Sequence, residues 1–265
     1  MSDEEGFAGD LFGAESDQDI VEVEPTFEIY TRDNVPEDSY RQVKIKLVGS
    51  HPLWAHHLWN ASKVFASLFD THPRLVKDRY VLELGAGGAL PSLIASLNGA
   101  AKVVVTDYPD KELIDNIQYN VDQMPELVKS HIHVEGYIWG SNTDKLKSYL
   151  PSDQPTYDVI ILSDLVFNHS QHHAMLKTCR ELLTPKTGRV YVFYTHHRPH
   201  LAHRDLEFFQ IATRPFKEDE DDRELIGYGF KADHFMIEKM GVMFKEDPGD
   251  EEVRATVHGW QLWLE

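Results

Sequence analysis

The sequence predicts an α/β domain: a mostly parallel sheet with helices packed on both faces. From residue 80 onward, short apolar runs alternate with amphipathic stretches in strand-then-helix order. That order gives parallel strands joined by helical crossovers. The first of these runs, VLEL at 81–84, breaks abruptly into GAGG, a turn suited to joining a parallel strand to its helix at the ligand-binding end of such a sheet. The closing WQLWLE alternates like a strand and predicts an antiparallel addition.

Before the alternation begins, FEIY and QVKIKLV alternate apolar and polar residues and predict the strands of an N-terminal hairpin or flap. HPLWAHHLWNASKVFASLFD reads as helical, with Leu58, Val64, Phe65, Leu68 and Phe69 on its apolar side. The strand RYVLELG then leads into the helix ALPSLIASLNG, and KVVVTDY into KELIDNIQYNVDQM. HIHVEGYIW predicts a third strand, followed by a charged loop and the short helix TDKLKSYL. YDVIILSDLVF and HHAMLKTCRELL form the next pair, and GRVYVFYTHH is the fifth strand of the series. LAHRDLEFFQIATRPF and DHFMIEKMG precede the final strand. The organisation expected is an acidic, disordered tail over 1–25, a strand and helix extension over 26–60, and one large domain over 61–265.

The formal charge is −18, and residues 1–24 contain no Lys or Arg. A second acidic run, KEDEDDRE, lies near residue 220. This balance disfavours a protein that tracks nucleic-acid phosphates, which needs a basic patch. It suits a small-molecule or protein substrate, a basic one included, although each acidic run alone reads as a solvated face. No apolar run of about 18 residues predicts a membrane span, and the acidic N-terminus lacks the pattern of a secretory signal. The single cysteine, Cys179, excludes an internal disulfide and points to a reducing, cytoplasmic setting. Its place in an amphipathic helical pattern predicts a packing role.

Gly85 and Gly87 fall where the first strand would give way to its helix, and glycine there admits positive φ and close approach of a ligand. Asp107 ends KVVVTD, where a carboxylate can accept hydrogen bonds from both hydroxyls of a ribose or cap the following helix. Dinucleotide-binding turns read G-x-G-x-x-G/A. Here Leu90 fills the last position, and Glu83 would set negative charge near any phosphate. An acid beside the turn fits a ligand that is a cation or an amino acid. S-adenosylmethionine carries a sulfonium, an ammonium and a ribose without phosphate. Glu83 is then expected either to reach the ligand's amino group through water or to cap N–H groups of the turn. The histidines of WAHHLW, NHSQHH and THHRPH lack the spacing of a metal site, and none is expected.

VLELGAG, VVVTDYPD and YDVIILSDLVF resemble the class I, seven-β-strand methyltransferases, and the lysine-type family 16 in particular, over roughly residues 45 to 200. Asp164-Leu165-Val166-Phe167 matches that family's (D/E)-x-x-(Y/F) motif. Together with LVGSHPLWAHHLWNAS, TDYPD and SDLVFNHSQHH, these stretches resemble the fungal protein N-terminal and lysine methyltransferases that act on translation elongation factor 1-alpha. The resemblance implies a Rossmann-like seven-stranded sheet, S-adenosylmethionine as cofactor and elongation factor 1-alpha as protein partner; charge and hydropathy predict no nucleic-acid or membrane partner, and with nothing demanding a dimer a monomer is expected. The resemblance also implies site residues. Gly85, Ala86 and Gly87 would line the methionine and ribose, Asp107 would hold the ribose hydroxyls, and Trp139 would pack beside the adenine. Ser163 would sit against the cofactor and Trp59 would close over it. Asp164 would orient or deprotonate the amine, and Phe167 would wall its channel. Gly88-Ala89 depart from the family's usual G-x-G-x-G, which places an extra methyl, that of Ala89, near the ligand. The other readings are a cofactor-binding module without catalysis, a methyltransferase of a different protein lysine, a nucleic-acid methyltransferase, disfavoured by the acidic charge and by SDLVF in place of (D/N)-P-P-(Y/F/W), and a nucleotide-dependent oxidoreductase, disfavoured by Leu90 and Glu83.

Overall fold

A computed structural model describes residues 23–217 and 226–265. Nearly all of the expected acidic tail and most of the KEDEDDRE run lie outside the described residues. Seven strands form the main sheet: β3 (Tyr80–Leu84), β4 (Lys102–Asp107), β5 (Ile132–Gly136), β6 (Val159–Ser163), β7 (Arg189–Thr195), β8 (Lys231–Lys239) and β9 (Thr256–Trp263). Their spatial order is β5-β4-β3-β6-β7-β9-β8. The five from β3 to β7 run parallel, and β9 is antiparallel to both its neighbours, as the closing alternation predicts. The chain therefore winds outward from β3 to β5, crosses back to β6, and winds the other way.

Side-chain parity along each strand assigns the two faces. Val81, Val103, Val105, Val159, Ile161 and Phe193 enter one core with α1 (Asn60–Thr71), α2 (Leu90–Leu97) and α3 (Lys111–Asp122). Leu82, Leu84, Val104, Ile160, Leu162 and Val192 enter the other, against the helices His172–Leu182 and Ala202–Thr213. Cys179 is fully buried in this second core, and burial pushes its thiol up, so it packs as an apolar group.

The predicted hairpin forms as β1 (Thr26–Thr31) and β2 (Gln42–Leu47). Alternation in QVKIKL sends Val43, Ile45 and Leu47 into the first core, while Phe27 and Ile29 stay exposed. Asn120 of α3 accepts from Lys46 N–H at 2.8 Å and donates to Lys46 C=O at 2.9 Å and Gly88 C=O at 3.1 Å. One side chain thus ties the hairpin to the glycine turn.

Helix α1 starts at Asn60, not in the fifties. Pro52 breaks the backbone donor series, Trp54 takes a left-handed φ of 62°, and Trp59 is extended. The apolar groups of this stretch do not form one helical stripe: Ala55 and Leu58 are buried, while Trp54 stays exposed. Likewise β5 ends at Gly136, and Tyr137–Gly140 turns away from the strand direction.

At the hairpin's base, Arg32 donates to Asp70 of α1 through Nε (3.0 and 3.1 Å) and Nη2 (2.7 Å), to Asn98 through Nη2 (3.1 Å) and to Tyr40 C=O through Nη1 (3.0 Å). Asn98 in turn donates to Asp70 at 2.8 Å. Both charges are buried, so removing one partner strands the other. Asp70→Ala is expected to cost about 3–5 kcal/mol in urea unfolding, and replacing Arg32 and Asp70 together by apolar residues to cost less than that.

Candidate active site

The reversal of winding between β3 and β6 leaves the C-terminal ends of these strands uncovered. A cavity of about 740 Å³ opens there. Its lining comprises Gly85–Gly88 after β3, Asp107 and Tyr108 after β4, Tyr137–Trp139 after β5, and Ser163–Leu165 with Phe167–Gln171 after β6. Residues 52–55 and 57–59 add a further wall. All nine residues singled out in the sequence line this one cavity: Trp59, Gly85, Ala86, Gly87, Asp107, Trp139, Ser163, Asp164 and Phe167.

Two glycines set its shape. Gly85 has φ +60°, and a Cβ there would lie 2.8 Å from Leu165 Cδ2 and 3.0 Å from Trp139 Cζ2. The missing side chain keeps the floor open between these two groups. Gly88 is demanded from outside the cavity, because a Cβ would meet Ile45 Cγ2 of β2 at 2.7 Å. Ala89 corrects the expectation of a methyl near the ligand. Its side chain joins the first core, while its backbone takes the left-handed conformation (φ 62°) that opens α2.

Asp107 is nearly buried, with Oδ2 accepting from Gly87 N–H and Oδ1 from Tyr108 N–H, both at 2.7 Å. Burial raises its pKa above the ordinary carboxylate value, against the effect of these two donors. It does not cap the next helix. Asp110 does, accepting from Glu112 N–H at 2.8 Å.

Glu83 shares the parity of Val81 and so faces α2, outside the cavity lining. Its Oε2 accepts from Ser92 N–H at 3.0 Å and Ser92 Oγ at 2.5 Å and Oε1 is buried without a partner, so the acid caps the first turn of α2 and bonds neither a ligand nor the N–H groups of the glycine turn. Full burial lifts its pKa to about 8, so the carboxyl is largely neutral near pH 7. The expectation of negative charge beside the turn is corrected accordingly.

Asp164 is 4% exposed and has φ 58°, a conformation rare for residues with a side chain and a recurrent form of strain at functional sites. Oδ1 accepts from Thr195 N–H at 3.2 Å and from His197 Nε2 at 3.0 Å, while Oδ2 is buried without a partner. Ser163 Oγ is likewise buried and unpartnered. Trp59 donates to Trp54 C=O at 3.2 Å and packs edge-on against His57, His197 and Phe244. Tyr137 reaches the cavity, but its hydroxyl bonds Ser141 C=O and Thr178; Tyr194 lies buried outside the lining.

Sequence reasoning missed the partners of the histidines. Asp205 binds His169 Nε2 at 2.7 Å and His196 Nδ1 at 2.6 Å. Burial opposes its charge, but the two rings outweigh this and hold its carboxyl below the usual range. The THH of 195–197 was visible, but nothing local connects it to acids 9 and 33 residues away. Among the described residues, His51, Asp110 and Glu112 approach within 4.8 Å of one another, a group not drawn from the three histidine-rich stretches.

A sheet of this order, with a glycine turn after the first parallel strand and an acid at the tip of the second, is the class I methyltransferase fold. The lysine methyltransferase family matches residues 41–214. The chain is 45% identical over 263 residues to the protein N-terminal and lysine N-methyltransferase EFM7 of Eremothecium gossypii, covering 96% of this chain and 94% of that protein. It is 43% identical over 281 residues to the Kluyveromyces lactis protein of the same name, covering 99% of each. The solved structure of PH0793 from Pyrococcus horikoshii overlaps 91% of this chain and 73% of its own with a TM-score of 0.51 at 15% identity, a likeness of fold. The chain belongs to the lysine methyltransferase family. It is a methyltransferase whose methyl donor is S-adenosylmethionine.

Two outcomes test the turn. Because native Glu83 keeps its proton up to about pH 8 while the unfolded chain releases it near 4.5, stability falls as pH rises from about 5 to about 8. Unfolding measured across that range should show Glu83→Gln flattening the slope, by an amount on the order of a few kcal/mol. Gly85→Ala forces a Cβ into the cavity floor at a positive φ, and calorimetry should show cofactor affinity lowered by about tenfold.

Proposed function

We propose that the enzyme methylates the N-terminal amine, or a lysine near it, of translation elongation factor 1-alpha. The observation that carries this reading is the placing of the motif's acid and aromatic, Asp164 and Phe167, in the lining of one cavity, with Asp164 held at a strained φ of 58°. The names of the relatives, protein N-terminal and lysine N-methyltransferase, support a protein amine as substrate. The choice of elongation factor rests on the likeness of LVGSHPLWAHHLWNAS, TDYPD and SDLVFNHSQHH to enzymes of that substrate.

The lining fits the cofactor. Gly85 leaves space bounded by Leu165 and Trp139, Ser163 offers an uncommitted hydroxyl, and Asp107 offers a carboxylate at the cavity wall. On this reading Gly85, Ala86 and Gly87 hold the methionine and ribose portions, Asp107 the ribose hydroxyls, and Trp139 the adenine face. Trp59 covers them. S-adenosylmethionine supplies a methyl on a sulfonium that a neutral amine can take by in-line displacement.

The protein's remaining task is to present that amine without its proton. A lysine begins near pKa ~10.4 and an α-amine near ~7.7–8.0, so a lysine needs the greater shift. Desolvation beside Trp59 and Phe167 disfavours the ammonium. Asp164 accepts an N–H, aligning the lone pair and taking up the proton or passing it on. The hairpin over 26–47 belongs to the same unit on this reading, since its buried face is part of the first core.

Incubation with methyl-labelled S-adenosylmethionine and elongation factor 1-alpha, followed by mass spectrometry, should place label on the factor's N-terminal amine or an adjacent lysine. Cofactor binding without label transfer would return the cofactor-binding module or a different protein substrate. Asp164→Asn is expected to keep cofactor affinity and lower kcat by about 10²-fold or more; unchanged turnover removes Asp164 from the chemistry.

A further inference from the structure

Asp164 is held from one side only. Oδ1 has two donors, Thr195 N–H and His197 Nε2, and Oδ2 has none. A carboxylate accepts and does not donate, so the shared proton of the His197 contact sits on Nε2. His197 is not itself part of the cavity lining. Its ring is fixed by Trp59, whose indole meets it edge-on at 4.8 Å and 62°. One ring therefore touches both the motif's acid and the tryptophan that lines the cavity.

We infer that His197 is the positioning residue of this site, donating from Nε2 to Asp164 Oδ1 and so fixing the orientation of the motif's carboxylate at the cavity wall. The inference rests on the reading of Asp164 given above. An aspartate carboxylate rotates through a broad, two-fold χ2 well, so two oxygens without fixed partners would exchange roles. The histidine bond and the Thr195 amide remove that freedom at Oδ1 alone. The surroundings reinforce the bond. Burial pulls the His197 pKa down, but Asp164, with smaller contributions from Asp205 and Asp247, carries it above its ordinary value. A protonated ring makes the bond charge-assisted, hence shorter and stronger than a neutral one. Neighbouring His196 is committed elsewhere, to Asp205, so the two adjacent histidines do not substitute for one another. The reach from β7 to the acid after β6 is short because these strands are paired, with Ser163 opposite Phe193.

The test uses the full chain, its protein substrate and saturating S-adenosylmethionine, with S-adenosylhomocysteine as the probe of cofactor affinity. His197→Ala is expected to lower kcat by about tenfold or more, with affinity for the probe within about twofold of wild type and a cooperative melting transition. His197→Gln, whose amide nitrogen reaches the position of Nε2, is expected to recover most of that kcat. Turnover of the alanine variant equal to wild type overturns the inference. So does a glutamine variant no better than alanine, which would show that the donor is not what matters. Parallel loss of probe affinity and kcat also overturns it, by assigning His197 to the support of Trp59. If the wild-type enzyme methylates no protein amine, the functional reading fails first and the inference falls with it.

Discussion

Every functional group of this protein depends on one topological constraint, the reversal of winding between β3 and β6. Right-handed crossovers on either side of that junction carry the connecting helices away from it. The ends of the two central strands are thereby left without a helix above them. The glycine turn follows one strand and the acid-aromatic motif follows the other, so the two stretches meet in the lining of a single cavity.

Around that cavity the protein fixes positions with buried polar bonds. Asp107 holds Gly87, Asn120 holds Gly88 and the hairpin, and Asp205 joins His169 to His196. In each case an acceptor or donor that folding would otherwise strand is given a partner on a different element. Glu83 follows the scheme through one oxygen only: burial raises its pKa and Oε2 caps α2 at Ser92, while Oε1 is buried without a partner.

The parts legible in sequence were those written locally. The alternation of strands and helices, the positive-φ glycine, the acid at the tip of β4 and the Asp164–Phe167 motif each declare themselves within a few residues. Parity along VLEL even contains the answer to Glu83, because its side shares Val81 and not Leu82. What sequence did not show was pairing across the fold. Arg32 meets Asp70 across 38 residues, and His197 meets Asp164 across 33. The conformation of 51–59 was also hidden: its apolar spacing reads as the start of the helix, whereas Pro52 and the left-handed Trp54 keep the chain out of a helix until Asn60. Ala89 misled for the same reason, since the direction of its methyl depends on a left-handed backbone that alanine rarely adopts.

The last strand adds a consequence for how the chain must assemble. β8 precedes β9 in sequence but pairs with the sheet only through it, because β9 lies between β7 and β8. As the polypeptide emerges from a ribosome, β8 has no edge to join until the residues of β9 follow. During that interval the backbone groups of β8 lack their sheet partners, and an unpaired strand is the kind of edge that invites aggregation or chaperone capture. Once β9 is inserted, β7 and β8 close on it from both sides. Completion of this edge therefore waits on the last strand of the sequence, whether β9 pairs first with β7 or with β8.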